Sequence, residues 1–135
     1  MPSIRSAILV AACAAAVSTS AGAQRVLVDP SHPVGRGMRD SSAIYFVNST
    51  SLELPAGSPA RVIARYPGEP GSILLSGFLQ GAAKLAGKVA AADVALGAGR
   101  VTMFGFRPLY RGQSYGTFKM SFNALLERPA ESTLQ

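Results

Sequence analysis

The chain reads VAAADVAL from Val89 to Leu96, GAG from Gly97 to Gly99 and RVTMFGF from Arg100 to Phe106. Two apolar, strand-length runs separated by glycines predict a β-hairpin, because glycine supplies the positive φ that tight hairpin turns need. The glycines do not indicate a dinucleotide-binding loop, since a second strand follows them where that motif requires a helix. The hairpin therefore places a sheet at the centre of the fold.

Further elements flank the hairpin on both sides. Apolar runs bounded by Pro and Gly predict three more strands, over residues 43–47, 61–66 and 73–79, and residues 80–85 have the length of one helical turn. Large apolar residues recur at spacings of three and four and predict a helix that ends at Arg128-Pro129; they are Tyr115, Phe118, Phe122 and Leu125. The fold class expected is mixed α/β: a sheet of about five strands, with one β-hairpin and one C-terminal covering helix.

The N-terminal 23 residues have the three parts of a secretory signal peptide. Arg5 provides the positive charge, residues 6–17 the apolar stretch and Ala21-Gly22-Ala23 the cleavage site. We expect a periplasmic or secreted protein that starts at Gln24, with no transmembrane segment. Lipid attachment at Cys13 and an uncleaved anchor are the alternatives. An irregular lead-in is expected over residues 24–40, the α/β domain over 41–128 and a frayed tail over 129–135.

Composition excludes several classes of protein. With 48% hydrophobic and 15% charged residues the chain is not a disordered tail, a coiled coil or a collagen. One His and one Cys cannot build a site that needs two His ligands or a Cys cluster, and if cleavage occurs after Ala23, Cys13 leaves with the signal peptide. The net charge is +6, but the cations are scattered singly, so we expect solubilising charge or diffuse attraction to anionic polymers rather than nucleic-acid binding.

Residues 107–117 connect the last strand to the last helix and contain the candidate site. Guanidinium groups beside the start of a helix suit a carboxylate or a phosphate, so Arg107 and Arg111 are candidate anion ligands. The candidate ligand-binding set is completed by Gln113, Tyr115 and Thr117. The alternative is that the two arginines brace the loop by binding backbone carbonyls or carboxylates. His32, between Ser31 and Pro33, is expected on the surface, and no paired carboxylates are apparent.

Several segments resemble a known family. They include Gly105-Phe106-Arg107-Pro108, Arg111-Gly112-Gln113, Gly116-Thr117-Phe118-Lys119 and Ala64-Arg65-Tyr66-Pro67, and the resemblance extends over residues 37–127. These segments are similar to the C-terminal domain of secreted bacterial zinc carboxypeptidase-like proteins. The resemblance implies the terminal part of a three-layer, class I glutamine-amidotransferase-like domain that is accessory to the peptidase. The zinc ligands and the catalytic Glu of the peptidase have no counterpart here, so it implies no catalytic residue, metal or cofactor.

Three functions follow as expectations. The first is an exported, non-catalytic accessory module related to those carboxypeptidase-like proteins. The second is a cell-envelope binding module that recognises an anionic ligand through residues 107–117. The third is an enzyme that uses Asp or Glu with Ser or Tyr, for which the sequence shows no positioned base. The expected partners are a peptidase domain or an envelope component.

Overall fold

The structure is a computed structural model and describes residues 20–127. It contains one six-stranded antiparallel sheet, a short helix and a longer C-terminal helix, so the predicted mixed α/β class is confirmed. The elements are β1 (Ser20–Val28), β2 (Ser41–Val47), β3 (Ala60–Arg65), β4 (Leu74–Leu79), α1 (Ala82–Leu85), β5 (Val89–Leu96), β6 (Gly99–Phe104) and α2 (Tyr115–Leu126). Single 3₁₀ turns lie at Pro33–Gly35, Pro70–Ser72 and Tyr110–Gly112.

Strand β1 is the centre of the sheet. The strand order is β2-β1-β3-β5-β6, and β4 also pairs with β1. Along one edge β1 pairs with β2 from Ala21 to Leu27. Along the other edge its first half, residues 20–24, pairs with β4, and its last two residues pair with β3. Two strands therefore share one side of β1.

The expected irregular lead-in over 24–40 is wrong at its start, because residues 24–28 belong to β1. Gln24, Val26 and Val28 alternate into the interior and are buried, which is the period of a strand with one covered face. Residues 29–40 lack strands and contain only the 3₁₀ turn. The predicted cleavage site, Ala21–Ala23, lies inside β1. The rest of the predicted signal peptide, with Cys13, and the predicted tail lie outside the described residues.

The predicted hairpin is present with a shorter connection than its three small residues suggest. Leu96 pairs with Gly99, so the loop consists of Gly97 and Ala98 alone. Only Gly97 has a positive φ, of 59°, while Gly99 is the first residue of β6. A positive φ at the first of two loop residues is the pattern of a type II′ turn, whose twist suits the flanking strands.

The predicted C-terminal helix is present as α2, but its large apolar face points away from the sheet. Its buried residues are Thr117, Met120 and Ser121. Tyr115 and Leu125 are 77% and 79% exposed. The helix is held by Met120, which is buried in the core, and by polar contacts: Asn123 Nδ2 donates to the carbonyl oxygens of Val34 and Arg36, each at 3.0 Å. Over residues 20–127, no helix has the length and apolar character required to cross a membrane.

Candidate anion-binding site

The loop that follows β6 leaves the sheet at a fixed point. Gly105 donates its N–H to Ala90 O at 2.8 Å, and its carbonyl accepts from the Thr50 N–H at 2.7 Å. A Cβ atom at this position would lie 2.4 Å from Thr50 O, so only glycine fits between the two neighbouring backbones. The chain therefore leaves β6 between the backbones of Ala90 and Thr50.

Thr117 closes the other end of the loop. Its side chain is fully buried, and its Oγ1 lies 2.5 Å from Pro108 O and 2.8 Å from Ser114 O. The single hydroxyl proton is donated to one of these carbonyls at a time. Thr117 therefore fastens the loop to the first turn of α2, and its hydroxyl, predicted as part of the ligand-binding set, is occupied by these carbonyls.

Tyr110 organises the site. Its ring stacks on the Tyr45 ring of β2, with centroids 5.1 Å apart and planes inclined by 10°. The guanidinium carbons of Arg107 and Arg111 lie 5.7 and 5.3 Å from the Tyr110 centroid, within the range of a cation–π contact. Both arginines are exposed. The fold therefore brings two accessible cations to one aromatic ring, and Tyr45 of β2 stacks on that ring.

Arg111 has a backbone conformation that is unusual for its residue type. Its φ and ψ are 48° and 19°, in the left-handed region where a Cβ atom is disfavoured. The turn is closed by the Gln113 N–H, which donates to Tyr110 O at 3.0 Å. A non-glycine residue held there costs about 1–2 kcal/mol. Strain of this kind is more frequent at functional sites than elsewhere.

The charge around these arginines is uncompensated within residues 20–127. No described carboxylate lies within 4 Å of either guanidinium group; the printed sequence has no Asp or Glu from Val94 to Leu126. The same segment carries four cations: Arg100, Arg107, Arg111 and Lys119. Among the described residues, the two arginines therefore do not take the alternative role of pairing with carboxylates of the fold.

The other two predicted residues lie beside the site without joining the ring cluster. Gln113 is exposed in the turn that follows Arg111. Tyr115 points outward and packs against the edge of Phe118, with ring centroids 5.4 Å apart and planes inclined by 62°. The sequence did not indicate Tyr45, because the pairing of β2 with β1 and the path of the later loop bring it to Tyr110 from a distant part of the chain.

A second cluster of ionisable residues is buried elsewhere. His32, expected on the surface, is only 1% exposed, and its Nε2 lies 3.5 Å from Asp93 Oδ2. Its Nδ1 accepts from the Val34 N–H at 3.1 Å, so the ring proton is on Nε2 and faces the carboxylate. Arg100 Nε lies 3.1 Å from the same oxygen, and Arg100 Nη1 lies 3.4 Å from Glu127 Oε1.

This cluster joins three separate parts of the fold: the turn after β1, the hairpin and the end of α2. Burial, the largest influence, lowers the pKa of His32 below its ordinary value of 6.5, and Arg61 and Arg100 act in the same direction against Asp93. A lowered pKa favours the neutral imidazole, which adds no further positive charge beside Arg100. A sequence signal existed in Asp93, a single charge within the apolar run of β5.

Within the described part of the chain, no three His, Cys, Asp or Glu side chains are grouped as a metal site would need.

Comparisons with protein-family models, curated proteins and solved structures give no match to this chain.

Proposed function

We propose that this chain is an exported binding module that recognises an anionic group through Arg107 and Arg111. The observation that carries the proposal is the contact of both guanidinium groups with the single ring of Tyr110, in a segment free of acidic residues. Two guanidinium groups near one ring suit the several oxygens of a carboxylate or phosphate, because each presents N–H donors in a planar fork.

The protein supplies binding and orientation in this proposal, and no bond is made or broken. Tyr45 supports Tyr110, Tyr110 limits the movement of both arginines, and Thr117 holds the loop against α2. Because these contacts exist before a ligand arrives, less side-chain freedom is lost on binding. The ligand class is a small polyanion or the anionic group of an envelope polymer or lipid.

The test is a titration of the purified chain with inorganic phosphate and with citrate, followed by amide NMR. We expect shifts at residues 107–114 that saturate and that weaken as salt is added, because an exposed charge contact is screened. Arg107→Gln and Arg111→Gln should each weaken binding about tenfold, the loss of one charge-assisted contact. Lys84→Gln, which removes an exposed cation from α1, is the matched control. Equal binding by all variants would contradict the proposal.

The accessory module implied by the resemblance is a second candidate, and β4 favours it. Five of its six residues are exposed, among them Leu74, Leu75 and Phe78. Apolar surface of this kind is expected where one domain packs against the rest of a larger protein. The chain with Phe78→Trp can be titrated with a purified catalytic domain of a secreted zinc carboxypeptidase. A saturable emission change supports this candidate, and a constant emission up to roughly 100 μM contradicts it.

A further inference from the structure

The amphipathic pattern of α2 is inverted relative to a helix that covers a core. The face against the protein presents Thr117, Met120 and Ser121, two of which are polar. The outer face presents Tyr115, Phe122, Leu125 and Leu126, all more than half exposed, and the partly exposed Phe118. We call these five residues the outer stripe. A stripe of aromatic and leucine side chains in water marks a surface that contacts something apolar.

The outer stripe continues beyond the helix onto the candidate anion site. Leu109, half exposed, lies in the loop between Arg107 and Arg111. Leu109 and Leu125 both line a cleft of about 380 Å³ between that loop and α2. Apolar side chains of the loop and of the helix therefore line one cleft, and Arg107 and Arg111 belong to the same loop as Leu109.

All charged side chains between residues 107 and 126 are cations. Lys119 follows Tyr115 by one helical turn, is exposed, and donates from Nζ to Gly37 O at 3.0 Å. Together with Arg107 and Arg111 it adds a third cation beside the stripe. Glu127, the first acidic residue after the helix, is paired with Arg100. The surface thus combines apolar residues with cations, and the neighbouring carboxylate, Glu127, is engaged by Arg100.

We propose that the outer stripe, with Arg107, Arg111 and Lys119, docks onto the surface of an anionic lipid bilayer. This inference rests on the proposed anion site and names its source of anions: the lipid headgroups. A helix of 12 residues is too short to span a bilayer but can lie in the interface, with apolar side chains toward the acyl chains and cations among the headgroups. Tyr115 suits that boundary, because its ring is apolar and its hydroxyl remains hydrated.

Charge complementarity favours a bilayer over a second copy of the chain. Two copies that met through their stripes would place arginines and lysines of the same sign opposite one another, with no acidic residue between Val94 and Leu126 to neutralise them. An anionic membrane supplies both an apolar layer and negative charge within a few ångströms, and each cation near its surface adds to the attraction.

The chain contains no Trp, so a single introduced Trp reports from one place. Phe122→Trp places the probe on the outer stripe, and Phe78→Trp places it on β4 as the matched control. The probes are measured with vesicles of phosphatidylcholine alone and with about 30 mol% phosphatidylglycerol. We expect a blue shift from Phe122→Trp with the anionic vesicles, weaker binding in high salt and no shift from Phe78→Trp.

Two further variants separate this inference from the proposed function. In the Phe122→Trp chain, Leu125→Ser with Leu126→Ser should weaken vesicle binding about tenfold and leave phosphate binding unchanged, whereas Arg107→Gln with Arg111→Gln should weaken both. Phosphate binding without a vesicle-induced shift overturns the bilayer inference alone. Loss of both signals in the parent chain overturns the proposed function as well. A blue shift that depends on protein concentration without vesicles identifies a second copy as the occupant and overturns the inference.

Discussion

Gly22 of β1 lies directly opposite Gly77 of β4, and the two backbones approach so closely that neither position has room for a side chain. A Cβ atom on Gly22 would lie 2.2 Å from Ser76 O, and one on Gly77 would lie 2.5 Å from Ala21 O. This glycine pair lets β4 share one edge of β1 with β3.

Replacing Gly22 tests this close approach. Gly22→Ala should lower the free energy of unfolding by about 3 kcal/mol, because the strands must separate to admit the methyl group. The measurement is chemical denaturation of the purified chain. Gly68→Ala is the matched control, since nothing lies within 4 Å of the added atom there and the backbone φ is ordinary. Equal stability of the two variants would show that β4 does not pack on β1 in this register.

Cleavage after Ala23 would remove residues that the sheet uses. Residues 20–23 pair with β4 on one side of β1. Residues 21–23 also pair with β2 on the other side. A chain that starts at Gln24 should therefore show faster amide hydrogen exchange in residues 76–79 than a chain that retains residues 20–23. Backbone amides in the β5–β6 ladder should exchange at the same rate in both chains, because those strands do not pair with residues 20–23. Unchanged exchange in β4 would contradict the observed pairing.

Replacing Arg111 by glycine should weaken phosphate binding without lowering the stability of the fold. Arg111→Gly relieves the left-handed strain but adds freedom to the unfolded chain, so the free energy of unfolding should stay unchanged or rise by up to about 1 kcal/mol. Phosphate binding, measured by the NMR titration, should fall about tenfold. Arg39→Gly, at a residue without a positive φ, should lose stability and keep binding. A marked loss of stability in Arg111→Gly would mean that the side chain braces the loop.

The buried His32 makes stability depend on pH. Because burial lowers its pKa below 6.5, the folded chain binds the imidazole proton less readily than the unfolded chain does. Stability from this group is therefore complete above pH 6.5 and falls as the pH is lowered through 6.5 toward the folded pKa. His32→Asn keeps an acceptor for the Val34 N–H and should flatten the pH dependence of the melting temperature between about pH 5 and pH 7. An unchanged slope of melting temperature against pH would mean that another group causes the pH dependence.

Local pattern accounts for the parts of the fold that were predicted. The hairpin was predictable because β5 and β6 are consecutive and Gly97 supplies the turn conformation within two residues. Strands β2, β3 and β4 were recognisable as apolar runs between turn-forming residues, and α2 from its spacing of three and four. Arg107 and Arg111 could be named as candidate ligands because a loop between a strand and a helix exposes its cations.

Contacts between residues that are distant in the sequence decided the features that were not predicted. Ala21-Gly22-Ala23 satisfies both a cleavage motif and the close packing of two strands, so the start of β1 could not be recognised without its partners β2 and β4. His32 is buried next to Asp93, a residue of β5 that is distant in the sequence. Tyr45 reaches Tyr110 in the same way, through the sheet.

The sequence by itself determined the mixed α/β class, the hairpin and the existence of the last helix, because these depend on interactions between residues that are close along the chain. Only the tertiary structure decided which way α2 faces. Periodicity identifies an apolar face but not what lies opposite it, and the sheet here is met by Thr117, Met120 and Ser121 while the large apolar residues face outward. The physical reason is that Met120 packs into the core and that Asn123 bonds to the carbonyl of Val34, a residue distant in the sequence, and periodicity encodes neither contact.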